Sequence, residues 1–330
     1  MKPTRSVVKV IVAALVSMIC GWSRPGFVTA QTFPIRIGVL TPGLTFGPVL
    51  EGLREGLEKL GYKEEQNIRF MIEDSQGDLS GLASRAAKLL NAKPAVLFTV
   101  VTPPTLAAKQ ATHTIPIVFA GVVDPIQSGL VSSFVSSGNN LTGVTAYTAY
   151  LSGKRLEVLK EIVPQARKVL AVVSTKEIVA QISLNQLEEA SLKAGVKVVR
   201  REVVNMDDID KLFLRQWAGE VDAIFHLPSI LVEKYLQRLI AKSNKEKLPL
   251  IVHEESFLRM GALASYGGDF RLYGMQAAKL VAKVLKGTKP SDIPIEVPDQ
   301  FILAINLATA KAIGLRIPRT VLKRVDRLVE

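Results

Sequence analysis

Cysteine, histidine and aromatic residues are scarce in this 330-residue chain, which has one cysteine, three histidines and 6% Phe, Trp and Tyr. The one thiol is Cys20, so everything after it is without a disulfide, a thiolate nucleophile or a cysteine zinc site. Long apolar runs are missing too. The longest, Val10 to Cys20, has 11 residues, against about 20 for a membrane-spanning helix. No G-x-G-x-x-G follows the first strand pattern, because Gly38, Gly43 and Gly47 are wrongly spaced and flanked by Pro42 and Pro48; a dinucleotide turn is excluded. A Walker loop, a G-x-S-x-G elbow and H-E-x-x-H are also absent, which removes the strongest signals for nucleotide hydrolysis, esterase chemistry and metalloproteolysis.

What remains is an ordinary globular composition, 48% hydrophobic and 22% charged with 23 Gly and 17 Pro. That excludes disordered, collagen-like and disulfide-rich classes and leaves length for two lobes. Residues 1–30 read as a secretory leader: Lys2, Arg5 and Lys9 precede the apolar run, and Val28-Thr29-Ala30 is a small-x-small cleavage pattern. Ser17-Met18-Ile19-Cys20-Gly21 loosely resembles a lipobox, but Ile19 is too large for that position, so a lipid anchor at Cys20 is disfavoured. Cleavage after Ala30 removes four basic residues and no acid from a net charge of +12. The remaining Lys and Arg are scattered over amphipathic helices, a solvated surface rather than a nucleic-acid footprint.

From Ile35 onward, short β-branched runs alternate with amphipathic patterns, the signature of parallel βα units. Strands are expected at Ile35–Leu40, Asn67–Asp74, Ala95–Val100, Ile115–Val122 and Leu141–Tyr147, then at Val169–Ser174, Val196–Val203, Ala223–Leu227, Leu248–His253 and Ala262–Tyr266. Helices are expected from Leu50 to Gly61 and over Leu79–Asn91, Pro104–Ala111, Gly153–Ile162, Ala180–Ala194, Ile209–Ala218, Val232–Ser243 and Leu272–Leu285. The order of elements repeats. Ala95–Val100 leads to Ile115-Pro116-Ile117-Val118 as Ala223–Leu227 leads to Leu248-Pro249-Leu250-Ile251, which predicts two similar α/β lobes of about five strands and a ligand cleft between them.

In parallel sheets a ligand sits beyond the carboxyl ends of the strands, so the candidates are the residues that follow each one. Thr41 ends the first. Thr102, Pro103 and Thr105 form a polar cap with Pro early in a helix, predicted to offer free backbone N–H groups to a carboxylate. Asp124, before Pro125, either caps the next helix or meets an ammonium or hydroxyl in the cleft. Tyr147 and Tyr266, at matching lobe ends, either stack on a ligand or pack at the hinge. Ser174 and Ser229 offer hydroxyls, and Glu254 is the obvious charge on the second side, suited to a cationic or donor group. His226 and His253 sit at strand ends but, with His113, show no ligand spacing, and read as structural rather than catalytic or metal-binding.

These residues stand within a pattern that resembles the ABC transporter substrate-binding family, whose better-known members include tryptophan/tyrosine-binding lipoproteins. The likeness runs through Ile37-Gly38-Val39, Gly52 to Tyr62 with Asn67-Ile68, Gln76-Gly77-Asp78, Thr102-Pro103, Ile115 to Phe119, Asp124-Pro125, Gly129-Leu130-Val131 and Asn140 to Gly143. It continues in Gly261 to Gly267, Ile305-Asn306-Leu307, Gly314-Leu315 and Ile317-Pro318. The resemblance implies a type I periplasmic-binding-protein fold: two Rossmann-like lobes with parallel central sheets, joined by a three-crossover hinge near Thr148, Phe270 and Val297. The first lobe would comprise 33–148 with 270–297, the second 149–269 with 298–330. It implies a periplasmic, monomeric receptor, not an enzyme, that needs no cofactor and hands a small solute, amino acids being the known class, to an ABC permease with a separate ATPase. Rival readings are a ligand-sensing module for a membrane receptor and an exported hydrolase using His226, His253 and Glu254.

One departure stands out. Aromatic amino-acid binders tend to carry Thr-Asp-Asn after the strand equivalent to Ala223–Leu227, where this chain has Pro228-Ser229-Ile230. The family's Asn-Thr-Ser loop is likewise Ser174-Thr175-Lys176. A site that pairs an ammonium is left short of acceptors on these loops.

Overall fold

The computed structural model describes residues 34–329; the expected leader, its expected cleavage site and Cys20 lie outside the described residues. The first sheet has the order β2-β1-β3-β4-β5, all parallel, from β1 (Ile35–Thr41), β2 (Ile68–Asp74), β3 (Val96–Val100), β4 (Ile117–Val122) and β5 (Leu141–Thr145). β3, β4 and β5 are buried throughout because helices cover both faces, which is why they read as unbroken apolar runs. On one face lie α1 (Gly47–Lys59) and the later α10 (Phe270–Leu285), on the other α2 (Leu82–Asn91) and α3 (Thr102–Ala111).

The second sheet repeats this winding. β6 (Lys168–Ser174), β7 (Lys197–Val203), β8 (Ala223–Phe225), β9 (Leu250–Val252) and β10 (Ala264–Gly267) run parallel in the order β7-β6-β8-β9-β10. α4 (Ser152–Ile162) and α5 (Ile178–Ala194) cover one face; α6 (Met206–Leu214) and α8 (Leu236–Lys245) cover the other. Two short helices, α7 (Ile230–Glu233) and α9 (Ser256–Arg259), follow β8 and β9.

The second sheet has seven strands rather than about five. β11 (Ile302–Asn306) runs antiparallel to β10, and β12 (Arg327–Val329) parallel to β11, after α11 (Leu307–Ala312) and α12 (Arg319–Leu322). The sense of β11 follows from where the chain comes from. Ile302 pairs with Gly267, the cleft end of β10, so a chain arriving from the first lobe must run back down the sheet. No crossover helix is needed for an antiparallel neighbour.

Two helix expectations are corrected. Val232–Ser243 is not one helix: it breaks at Lys234-Tyr235 between α7 and α8. No helix follows Asp124-Pro125; turns do, closed by Ser128 N to Asp124 O at 3.1 Å and Leu130 N to Pro125 O at 2.9 Å.

The chain crosses between lobes three times: from β5 to α4, from β10 to α10, and from the segment on the β5 edge to β11. In the third, Thr145 N donates to Glu296 O and Glu296 N to Gly143 O, each at 2.9 Å, before the chain leaves for the second sheet. α10 returns to lie on α1 through facing small residues. A Cβ on Gly52 would meet Arg271 O at 1.9 Å, and one on Gly274 would meet Val49 O at 1.9 Å. That close approach brings Phe270, the first residue of α10, to the mouth between the lobes.

Candidate functional site: the interlobe cleft

The carboxyl ends of the two sheets face each other across a cavity of about 30 Å³. That is room for a water or two, so in this structure the lobes are nearly shut. A roomier groove of about 270 Å³ lies outside, between α1, α10 and residues 298–300.

The first-lobe wall is apolar, built from Phe46, Val101, Val123 and Ala146, with Thr102 and Thr148 as its hydroxyls and Phe270 beside them. Val101 takes φ 57° and ψ 179°, a costly backbone for a β-branched residue. It turns the chain sharply from β3 into α3. Thr102 then accepts from Val123 N at 3.2 Å, tying the start of α3 to the end of β4. The expected cluster of free N–H groups is much reduced. Pro103 and Pro104 occupy the second and third helical positions and have no N–H, and Thr105 N is already bonded to Val101 O at 3.4 Å. Only the Thr102 N–H remains.

The second-lobe wall carries the charge. Glu177, just before α5, is buried and accepts from Ser229 Oγ at 2.7 Å, Ile230 N at 2.7 Å and Leu231 N at 3.1 Å. Ser229 in turn caps α7, accepting from Val232 N at 3.2 Å. These bonds lock the loop after β8 and set Glu233, at the end of α7, into the cavity wall. Glu233 is 5% exposed. Burial, and then the nearby charges of Glu177 and Glu254, push its carboxyl well above the usual range.

His253 Nε2 lies 3.7 Å from Glu233 Oε1. Burial drives the histidine toward its neutral form, helped by His226 and Arg155, so the two face each other as neutral groups rather than an ion pair. His226 is pushed down to about 3 by burial and by Arg155. The two rings share a hydrogen bond, Nδ1 to Nδ1 at 3.2 Å, with centroids 5.2 Å apart and planes within 8°. His253 uses one edge for His226 and the other for Glu233, which links the three groups in a chain; their ligand atoms lie within 4.8 Å of one another. Behind them Arg155, fully buried, donates to Ser152 Oγ at 3.2 Å and lies over the Phe225 ring at 5.0 Å; burial lowers its pKa to about 9.

Of the ten residues singled out from sequence, Thr102, Pro103 and Ser229 line the cavity. Thr41 accepts from Gly43 N at 3.1 Å in its own turn. Thr105 bonds inward, to Thr99 Oγ1 at 2.9 Å and Val101 O at 2.7 Å. Asp124 caps its turn, accepting from Ile126 N at 3.0 Å and Gln127 N at 2.9 Å. Tyr147 stacks on Tyr150 at 4.5 Å and sits 6.2 Å from Phe301, while Tyr266 reaches the same Phe301 at 6.4 Å, so both pack beside the crossovers. Ser174 is buried at the end of β6, and Glu254 accepts from Ser256 N at 2.7 Å. Sequence reasoning passed over Phe46, Glu177 and Glu233 and placed Phe270 at the hinge rather than in the site. Glu233 was hidden inside what reads as a continuous amphipathic helix, and the only available signal was Ser229 three residues before Val232, a capping serine that starts a helix earlier.

Comparison with known proteins accords with this architecture. Residues 39–329 match the family described as ABC transporter substrate binding protein. The tyrosine-binding protein of Clostridioides difficile (strain R20291) is 29% identical over 266 residues, covering 81% of this chain and 76% of that protein. The ABC domain from Streptococcus pneumonia in complex with L-Trp superposes with a TM-score of 0.84 at 25% identity, over 90% of this chain and 100% of that one. The ligand-free, open structure of CD0873 from Clostridium difficile, a substrate-binding protein with adhesive properties, gives 0.67 at 26% identity over 89% and 99%. At nearly equal identity the almost shut cleft superposes better on the liganded structure than on the open one. From the middle of β1 to the end of β12, this chain belongs to the ABC transporter substrate-binding protein family.

Proposed function

We propose that this chain is the extracytoplasmic receptor of an ABC import system, which captures a small amino acid or related carboxylate between its lobes and delivers it to a permease driven by a separate ATPase. The observation that carries this reading is the cavity itself, where the carboxyl ends of two doubly wound sheets meet with an apolar wall on one side and hydroxyl and carboxyl groups on the other. The relatives described as tyrosine-binding and bound to L-Trp support the ligand class, and the leader-like residues 1–30 support export. The moving bodies are residues 34–148 with 270–297, and 149–269 with 298–329.

A thermal-shift screen against amino acids, small carboxylates, purines and oligopeptides tests the reading. A solute at about 100 times its Kd adds about 2.7 kcal/mol of stability, a rise of several degrees. A hit among amino acids is expected; silence across all four classes overturns the proposal.

A further inference from the structure

We propose that Glu233 is the acceptor for a protonated amine on the solute, so that the receptor selects small apolar amines or amino acids and releases a proton as it binds them. This rests on the receptor reading above. The loop after β8 has no acidic residue, yet the carboxyl of Glu233, one turn further on, reaches the same cavity. Its Oε2 is buried without a hydrogen-bond partner among the described residues, and its Oε1 stands 3.7 Å from His253 Nε2, beyond hydrogen-bond range. A buried carboxyl with an oxygen left unpaired is costly unless something arrives to use it.

The charged and titratable groups around it are Glu177 before α5, His226 after β8, His253 and Glu254 after β9, and Arg155 on α4. Glu177 is committed to α7, and both histidines are held neutral by burial. The first-lobe residues lining the cavity carry no ionisable side chain. Nothing within the wall therefore supplies a cation to Glu233, which favours its protonated form. A primary ammonium from the solute supplies both charge and donors. The carboxylic O–H then ionises, its proton passes to the buffer, and the carboxylate accepts from the N–H groups of the incoming ammonium, which entered already protonated.

Titration calorimetry of the purified chain tests this with three sets of probes. These are L-leucine, L-phenylalanine and L-tryptophan; their deaminated analogues isocaproate, hydrocinnamate and indolepropionate; and their decarboxylated analogues isoamylamine, phenethylamine and tryptamine. The deaminated set is expected to bind about tenfold to a hundredfold more weakly than the amino acids. Repeating the titration of the best binder in phosphate and in Tris, which differ in ionisation heat, is expected to report net proton release on binding. Glu233→Gln, whose neutral amide stands in for the neutral acid, is expected to keep the wild-type melting midpoint while losing both the proton release and the preference for the amine. Deaminated analogues that match the amino acids, or no proton release in the wild type, overturn the role of Glu233 and leave the receptor standing. Its role is equally overturned if purines, peptides or simple carboxylates bind and every amine is silent; silence from all classes overturns both.

Discussion

Glu254 illustrates how burial decides the charge of single residues in this wall. It is 3% exposed, and loss of solvent pushes its pKa up to about 7, against the opposing pull of its bonds from Ser256. The folded state therefore holds more protons than the unfolded one between the ordinary value of 4.5 and about 7, and stability falls as pH rises through that window. Glu254→Gln removes the effect. The urea midpoint of the wild type, measured relative to that variant, is expected to drop between about pH 5 and pH 8; a constant difference would mean that the carboxyl titrates normally. His226 works in the other direction. With its pKa pushed down to about 3, the unfolded state binds its proton first, and stability is lost as pH falls below about 6.5. At this scale Thr102, Pro103 and Ser229 were legible because they lie within a few residues of strand ends, where ligands of parallel sheets sit. Glu233 was not, because it lies four residues further on, and whether that position faces a cavity depends on where the helix breaks.

Among the elements, the crossing of α1 and α10 has the least slack. Gly52 and Gly274 let the two backbones touch, and a Cβ on Gly274 would fall 1.9 Å from Val49 O and 2.7 Å from Leu53 N. Both obstacles are backbone, which cannot swing aside. Gly274→Ala is expected to cost about 1–3 kcal/mol in urea unfolding despite the better helix propensity of alanine, and to displace Phe270 from the cleft. Gly153→Ala on α4 is the contrast. Its Cβ would meet Ala190 Cβ at 3.5 Å, an ordinary contact, so it is expected to stabilise by up to about 1 kcal/mol. Ten strands of the βα repeat were readable from period and burial pattern. β11 and β12 were not, since the direction and partner of a strand that follows an interlobe crossing are set by where the chain re-enters the sheet.

For the whole molecule, a cavity of about 30 Å³ cannot admit an amino acid without the lobes parting, so capture requires an open form that closes on the solute. Small-angle scattering is expected to show a smaller radius of gyration when the amino acid giving the largest thermal shift is added; an unchanged radius would mean that the lobes stay closed and the solute enters another way. The linear order of residues was enough to determine a twice-wound α/β chain with a leader-like start, because hydrophobic period and turn residues act over a few positions at a time. Its likeness to the substrate-binding family was carried by motifs of the same local kind. Only the tertiary structure decided which strand ends meet across the cleft, that two prolines and a backbone hydrogen bond leave α3 with one early N–H to offer, and that Glu233, beyond the loop after β8, reaches the cavity wall. Those outcomes depend on contacts between residues far apart in the chain, where packing and burial, rather than local propensity, set both position and charge.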